Sequence, residues 1–256
     1  MSKLDALDAY SRLMPKQWEF VTDTKSREIL YSGAYRAGKT RALCMRAIKL
    51  ALDPRSRVGI VRKNLANLKA TTLKTLIESD GDLPPVLPVR CYEHRISACE
   101  IRLHGAGHIL YFGCDDETKI GSRGLTDCLV DEGIELDERE YVMLLGRISV
   151  SYELADGTKN AQSIATVTNP GAPTHFLYQR FFVDQNPTRR VIETNVAENY
   201  HLPEAYKRSL SELTGVLRAR AYEGRWVAYE GQIYPMFDPG LHVLHGLGND
   251  GTPRRR

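Results

Sequence analysis

The sequence predicts an α/β fold in which a mostly parallel sheet is flanked by helices. Three observations support this prediction. Short segments that look like strands alternate with longer segments of helical periodicity, the order that builds parallel sheets. A glycine-rich loop joins the first strand to a helix, and a later apolar strand ends in two consecutive carboxylates. With 256 residues, 42% of them hydrophobic, the chain can bury the core of one large domain and carry a small appendage.

The predicted elements follow one another in a βαβα order. Strands are predicted over residues 28–32, 57–62, 125–130, 163–168 and 190–194, and helices over 41–52 and 65–78. Residues 95–103 and 108–112 are predicted to pair antiparallel around a glycine-containing turn at 105–107. Residues 203–222 are helical in pattern, with a break at Thr214-Gly215. We therefore expect a core over residues 1–200 and a small helical lid or linker subdomain over residues 201–235.

The composition excludes several classes of protein. A net charge of +3, from 35 basic and 32 acidic residues, allows a local nucleic-acid surface without indicating one. The five cysteines are odd in number and contain no C-x-x-C pair, so we expect small buried side chains rather than disulfides or a zinc site. No apolar run approaches the ~20 residues of a membrane helix. We therefore expect no membrane association and an intracellular location.

Residues Gly33-Ala-Tyr-Arg-Ala-Gly-Lys-Thr40 match the P-loop pattern G-x-x-x-x-G-K-[ST]. In this motif the backbone curls until several N–H groups point at one phosphate, and the N-terminus of the following helix adds its dipole. Lys39 would contact the β- and γ-phosphates, and the Thr40 hydroxyl would bind Mg²⁺. The core is therefore predicted to be a P-loop NTPase. Its phosphate-binding residues would be Gly33, Ala34, Tyr35, Arg36, Ala37, Gly38, Lys39, Thr40 and Arg41.

The second element that a P-loop ATPase requires is an apolar strand that ends in acidic residues. Cys128-Leu-Val-Asp131-Glu132 has this form. Asp131 would hold Mg²⁺, and Glu132 would orient and deprotonate the attacking water. Ligands gather at the carboxyl ends of parallel strands, which is where this pair is predicted to lie.

Other candidate residues depend on less specific signals. Thr168-Asn169 ends the next strand and could contact the γ-phosphate, although such a sequence is also typical of a plain turn. Gln17 precedes the P-loop, and its amide could bind adenine through a paired donor and acceptor. An arginine near the transferred phosphate would accelerate hydrolysis. The sequence leaves this role open among Arg36, Arg123, Arg139 and Arg147.

Taken in order, these motifs resemble the large terminase subunit of tailed double-stranded DNA bacteriophages. The resemblance runs from about Pro15 to Phe237 and includes two further motifs, Gly224-Arg-Trp226 and Gly231-Gln-Ile-Tyr234. It implies an ASCE-type ATPase in which Gln17 contacts adenine, and in which Thr168 and Asn169 fall on the motif that couples hydrolysis to movement. Arg123 matches a position that in some members serves the neighbouring subunit as an arginine finger. The cofactor set would be ATP and Mg²⁺.

The resemblance also implies partners. Such a protein would form a homo-oligomeric ring, expected to be a pentamer, which docks on the portal protein of a procapsid in the host cytoplasm. It would act on double-stranded DNA together with the small terminase subunit. Residues 236–256 would begin a linker toward a nuclease domain, and we expect no DNA cleavage by this chain.

Two other functions stay open. One is a different P-loop ATPase acting on nucleic acid, such as a ring helicase. The other is a nucleotide-gated DNA-binding module without useful turnover, against which the intact Glu132 argues.

Overall fold

The structure of the chain is a computed structural model, and it describes residues 13–79, 83–115, 124–154, 157–184 and 186–228. Its centre is a single eight-stranded sheet. The strands are β1 (Glu28–Gly33), β2 (Arg57–Arg62), β3 (Tyr92–Arg95), β4 (Glu100–Leu103), β5 (His108–Gly113), β6 (Asp127–Val130), β7 (Ile164–Thr168) and β8 (Arg189–Thr194).

The strands lie in the order β3-β4-β5-β2-β6-β7-β1-β8. From β5 to β8 all neighbours are parallel, and β3-β4-β5 form an antiparallel extension at one edge. One strand, β7, therefore separates the P-loop strand β1 from the carboxylate strand β6. This arrangement is that of an ASCE-type P-loop NTPase, so the predicted fold class is confirmed.

Helices cover both faces of the sheet. They are α1 (Pro15–Thr22), α2 (Lys39–Leu50), α3 (Leu65–Leu68), α4 (Lys74–Ile77), α5 (Glu138–Arg147), α6 (Phe176–Tyr178), α7 (Glu204–Ser211) and α8 (Gly215–Ala221). A π-helical turn, Lys69–Leu73, joins α3 to α4, and a second one, Gln179–Val183, extends α6. None of the helices in these described ranges is both long and apolar enough to cross a membrane.

The sheet has a separate apolar core on each face. Successive side chains of a strand point to opposite faces, so Ile29 and Tyr31 enter one core while Leu30 enters the other. The first core also contains Leu43 of α2, and the second contains Trp226. All six residues of β1 are buried, as expected for a central parallel strand covered on both sides.

Most predicted elements are present, and the differences have local causes. The strand predicted over residues 95–103 is wrong for 96–98, which form a 3₁₀ turn that ends at Cys99 in a left-handed conformation with φ +50°. Helices α1, α5 and α6 were not predicted from the sequence. The five cysteines are free, and four of them are buried, as the composition predicted. The helices of the predicted 201–235 subdomain are α7 and α8, while residues 236–256 lie outside the described part of the chain.

Candidate nucleotide site

The site lies at the carboxyl edge of the parallel strands. Ser32 of β1 pairs with Thr168 of β7, and Thr166 pairs with Val130 of β6. Because these strands run in the same direction and end within a few residues of one another, the segments that follow them leave the sheet at the same edge. These segments are the P-loop, Asp131-Glu132 and Asn169.

The P-loop backbone forms a cradle of N–H groups. Arg36 and Gly38 adopt left-handed conformations with φ +57° and +72°. At Gly38 the left-handed φ favours glycine, and a Cβ there would also displace Gln17 Nε2, which would lie 2.4 Å away. Within the described ranges, no backbone carbonyl accepts a hydrogen bond from the N–H groups of residues 36–40. These donors, placed at the N-terminus of α2, form an anion site of the kind that binds phosphate.

The carbonyl groups of the loop are held from the outside. Asn199 Nδ2 donates to the Arg36 carbonyl at 2.7 Å, and Gln17 Nε2 donates to the Gly38 carbonyl at 2.9 Å. The Tyr35 N–H donates to the Ala221 carbonyl of α8 at 3.1 Å. The cradle is therefore fixed in shape by contacts from α1, from the segment before α7, and from α8.

Lys39 is buried at the centre of the site. Its Nζ donates to the carbonyl oxygens of Gly33 and Ala34 at 2.9 and 2.7 Å, and to Asn169 Oδ1 at 2.9 Å. Burial lowers the pKa of the Lys39 ammonium to about 8, although Glu132 and Asp131 act in the opposite direction. All three donors of the ammonium group are therefore engaged, one of them by a side chain from the neighbouring strand.

Asp131 and Thr40 provide a pair of oxygen ligands. Asp131 is 2% exposed, and its Oδ1 accepts from Thr40 Oγ1 at 3.2 Å and from the Glu132 N–H at 3.1 Å. Burial raises the pKa of the Asp131 carboxyl, and hydrogen bonds from Thr72 and Thr40 offset this only in part. A hydroxyl next to a buried carboxylate is the type of oxygen pair that Mg²⁺ binds together with phosphate and water. The residues therefore fit a magnesium nucleotide.

Glu132 lies between Asp131 and Asn169. Its backbone has the left-handed φ of +50°, and its Oε2 accepts from Asn169 Nδ2 at 3.3 Å. Burial and the adjacent Asp131 raise the pKa of the Glu132 carboxyl. A carboxyl with a raised pKa is suited to accept a proton near neutral pH. Asn169 thus joins Lys39 and Glu132 by hydrogen bonds from opposite ends of one amide.

Two predicted binding residues make other contacts in this structure. Both ends of the Gln17 amide are engaged, because Oε1 accepts from the Met14 N–H at 2.9 Å while Nε2 contacts the P-loop. The Thr168 hydroxyl accepts from the Ile134 N–H at 3.0 Å and donates to the Asn169 carbonyl. Thr168 therefore ties the end of β7 to the loop after Glu132, and its role toward nucleotide stays a prediction.

The arginine candidates differ in position. Arg36 is exposed on the P-loop, Arg139 is exposed on α5, and Arg147 is partly buried at the end of α5. Arg123 lies outside the described residues. The choice among the four stays a prediction.

Several residues that shape the site were given no role in the sequence analysis. Asn199 supports the P-loop, and Thr72 contacts Asp131. Trp226 Nε1 donates to Ser32 Oγ at 2.9 Å, directly before the P-loop. Their places in the sequence carry no local signal, because each contact joins residues that are far apart in the chain. The Trp226 motif was noted only through the resemblance.

Comparison with known proteins identifies the family. The sequence matches the phage terminase large subunit family over residues 25–226. The structure of the large terminase from a thermophilic bacteriophage superposes with a TM-score of 0.68 and 22% identity, covering 88% of this chain and 56% of that one. The same bacteriophage protein in complex with ADP gives a TM-score of 0.67 at 22% identity, covering 89% and 57%.

The large terminase ATPase domain of Thermus phage P74-26 is a more distant match. It gives a TM-score of 0.58 at 11% identity and covers 86% of this chain and 97% of that domain. No curated protein matches this chain in sequence. The chain spans just over half the length of the thermophilic bacteriophage terminase and nearly all of the P74-26 domain. The chain therefore belongs to the phage terminase large subunit family and has the fold of its ATPase domain.

Proposed function

We propose that this chain hydrolyses Mg-ATP and couples hydrolysis to the translocation of double-stranded DNA into a procapsid. The observation that carries the proposal is the contact set at the carboxyl edge of the sheet. Lys39, Thr40, Asp131 and Glu132 come from two separate strand ends and lie within one hydrogen-bonded group. The thermophilic bacteriophage terminase was solved with ADP and with ATP-γ-S, which supports nucleotide as the ligand of this fold.

Each residue has a role in this proposal. The N–H groups of residues 36–40 and the Lys39 ammonium would hold the phosphates, and Thr40 with Asp131 would hold Mg²⁺, which neutralises phosphate charge. Gln17 would turn its amide to adenine. Glu132 would accept the proton of the attacking water, since its carboxyl is half-buried next to another carboxylate and its pKa is raised.

Asn169 would link nucleotide binding to Glu132. All three Lys39 donors are engaged in the structure, so Lys39 must give up a partner to contact a phosphate. The Asn169 amide is the partner that can move, because the other two are backbone carbonyls. A shift of Asn169 would also change its hydrogen bond to Glu132 Oε2. Binding at the P-loop would thus reposition the Glu132 carboxylate, through its Asn169 partner, for catalysis.

The helical segment over residues 201–235 would act as a lid that follows the nucleotide state. The end of α8 accepts a hydrogen bond from the P-loop at Tyr35, and Trp226 contacts the strand before it. Gly224 lies so close to the P-loop that a Cβ there would meet Ala34 N at 3.0 Å. A change in the P-loop would therefore be transmitted to α7 and α8 without an intervening linker.

The assembled machine would be a pentameric ring on the portal protein, acting with the small terminase subunit in the host cytoplasm. Arg123 is proposed to reach the active site of the neighbouring subunit. Binding of DNA would depend on phosphate contacts, so the affinity should fall log-linearly with salt concentration and be insensitive to base sequence. Cleavage of DNA is not part of the proposed activity of these residues.

A mixing experiment tests both the hydrolysis and the ring. An arginine finger contributes about 10³ to 10⁵ in rate, so Arg123→Ala should be inactive alone. Glu132→Gln should also be inactive alone, because it lacks the proposed proton acceptor. If Arg123 acts between subunits, mixing the two variants on portal-bearing procapsids should restore part of the ATPase rate, because some sites pair an intact Glu132 with an intact Arg123. Mixing Glu132→Gln with Arg139→Ala, Arg147→Ala or Arg36→Ala in place of Arg123→Ala shows whether one of the other candidate arginines acts between subunits instead.

The outcomes separate the competing functions. Absence of Mg-dependent hydrolysis by the wild-type protein, alone or assembled, would refute the ATPase and favour a nucleotide-gated DNA-binding module. Strand separation without packaging would favour the ring helicase. An active Arg123→Ala variant would exclude Arg123 as the finger while leaving the ATPase proposal intact.

A further inference from the structure

The helical segment between Leu65 and Ile77 is interrupted at its centre by a wider turn. Residues Lys69–Leu73 are π-helical, between the α-helical segments α3 and α4. Single π turns within α-helices are rare and are frequent at functional sites. This one contains two consecutive threonines, Thr71 and Thr72, whose hydroxyls both contact residues at the carboxyl ends of neighbouring strands.

Thr72 contacts the Asp131 carboxylate. Its side chain is completely buried, and its Oγ1 donates to Asp131 Oδ2 at 2.5 Å. The other oxygen, Oδ1, accepts from the Glu132 N–H and from Thr40. Both carboxylate oxygens therefore have fixed donors, and rotation of the carboxylate about its Cβ–Cγ bond would break contacts on both sides.

Thr71 lies on the same turn but serves a different group. Its hydroxyl donates to the Asn67 carbonyl at 2.8 Å and accepts from Arg62 Nη1 at 2.9 Å. Arg62 in turn forms a bidentate pair with Glu135, with distances of 3.0 and 2.7 Å. The Thr71 hydroxyl also lies 3.5 Å from that of Thr72, but its shorter contacts are to Asn67 and Arg62 and not to Asp131, so Thr71 is a matched neighbour of Thr72.

We propose that Thr72 is a positioning residue for the divalent cation of the Mg-ATP site. By donating to Oδ2, Thr72 would keep Oδ1 directed toward Thr40, so that the two oxygens expected to bind the cation stay together. The inference rests on the proposed function of the site. Hydrogen-bonding partners of metal ligands orient those ligands, and their loss typically weakens metal affinity about 10- to 100-fold.

The contact can be removed with little change in shape. Thr72→Val replaces the hydroxyl by a methyl group, whereas Thr72→Ser keeps the hydroxyl and removes the methyl group. Thr71→Val is the control on the same π turn. Binding of fluorescent methylanthraniloyl-ATP is measured in EDTA and during titration with MgCl₂, and urea unfolding of each variant without nucleotide shows that it is folded.

Thr72→Val should bind the analogue in EDTA within about threefold of the wild type, whereas half-saturation by Mg²⁺ should require about 10- to 100-fold more cation. Thr72→Ser and Thr71→Val should titrate with Mg²⁺ like the wild type.

A normal Mg²⁺ titration for Thr72→Val would overturn the inference. An equal loss of Mg²⁺ affinity in Thr72→Ser and Thr72→Val would also overturn it, since the methyl group would then be responsible. If Thr72→Val does not fold, Thr72→Ala, which also removes the hydroxyl, takes its place with the same expected loss and the same overturning result. A wild-type protein whose binding ignores Mg²⁺ would instead refute the proposed function.

Discussion

Two groups of buried carboxylates lie at opposite edges of the same sheet, and they differ in how their charge is compensated. At the amino edge, Glu28 begins β1 and accepts from Arg180 Nε at 2.7 Å, from Arg189 Nε at 3.1 Å and from the Tyr141 hydroxyl at 3.2 Å. At the carboxyl edge, the Lys39 ammonium and the Arg62 guanidinium lie near Asp131 and Glu132, but both cations form their hydrogen bonds with other groups.

The pKa values move in opposite directions as a result. Burial alone would raise the pKa of Glu28, but Arg180 and Arg189 outweigh this effect and lower it. Burial raises the pKa values of Asp131 and Glu132, and within the described ranges no comparable pair of guanidinium groups donates to them. The comparison indicates that the Glu28 carboxylate at the amino edge is fully compensated by its two arginines and stabilises the fold. At the carboxyl edge the carboxylates are held away from water without a hydrogen-bonded cation from the described residues, which is unfavourable for their charged forms. A bound cation would relieve this, as expected of a functional site.

The largest expected effect is on catalysis at the carboxyl edge. Glu132→Gln removes the proposed proton acceptor and should lower ATP turnover about 10³-fold or more. It also removes a half-buried carboxylate next to the buried Asp131, so the free energy of unfolding should stay the same or rise. Steady-state hydrolysis, analogue binding and urea unfolding measure the three quantities. Substantial turnover, or a clear loss of stability, would contradict the assigned role of Glu132.

The opposite pattern is expected at the amino edge. Glu28→Gln leaves Arg180 and Arg189 without their shared carboxylate and should lower the free energy of unfolding by about 3 kcal/mol. Nucleotide-analogue binding by the folded protein should be unchanged, because Glu28 lies at the other end of β1. Glu19→Gln is the matched control, since its pair with Arg190 is more exposed and should contribute less than about 1 kcal/mol. Equal losses in both variants would disprove the proposed difference.

A smaller effect is expected at Asn169, which is neutral and bridges the charged groups of the carboxyl edge. Asn169→Ala removes both amide contacts and should lower kcat about tenfold, with KM for ATP within about threefold, because Glu132 loses its orienting partner. Asn199→Ala should instead raise KM, because Asn199 supports the P-loop carbonyl of Arg36. Steady-state kinetics distinguish the two results. A change confined to KM in Asn169→Ala would argue against its proposed link to Glu132.

Much of the fold could be predicted because its signals are local. The P-loop, the β1 and β2 strands and the acidic end of β6 each occupy one short stretch with a defined periodicity. The helices α1 and α5 were overlooked although their sequences contain start signals, namely Pro15 at the first turn of α1 and a capping box between Asp137 and Glu140 in α5.

The contacts around the site were less accessible to sequence reasoning. Thr72 and Asp131 are 59 positions apart, and Asn199 and Arg36 are 163 positions apart, so only the folded sheet brings them together. The arginines Arg180, Arg189 and Arg190 read as ordinary surface charges in the sequence, yet each binds a carboxylate at the amino edge. Periodicity indicates which face of an element is buried, but it does not identify the partner of a buried charge.

The smallest expected effect concerns pH at the amino edge. Burial would raise the pKa of Asp23, but hydrogen bonds from Ser26, Arg190 and Lys25 outweigh it and lower the pKa from 3.8 to about 2. A carboxyl with a lowered pKa in the folded state stabilises the protein above its ordinary pKa, and this contribution is lost as the pH falls through the lowered value. Asp23→Asn should therefore be less stable than the wild type by about 1–2 kcal/mol at pH 7, an amount reduced by the partial exposure of Arg190. The difference in the free energy of unfolding, followed by urea unfolding at each pH, should shrink between pH 4 and pH 2. A difference that stays constant down to pH 2 would mean that Asp23 stabilises this edge by packing rather than by its charge.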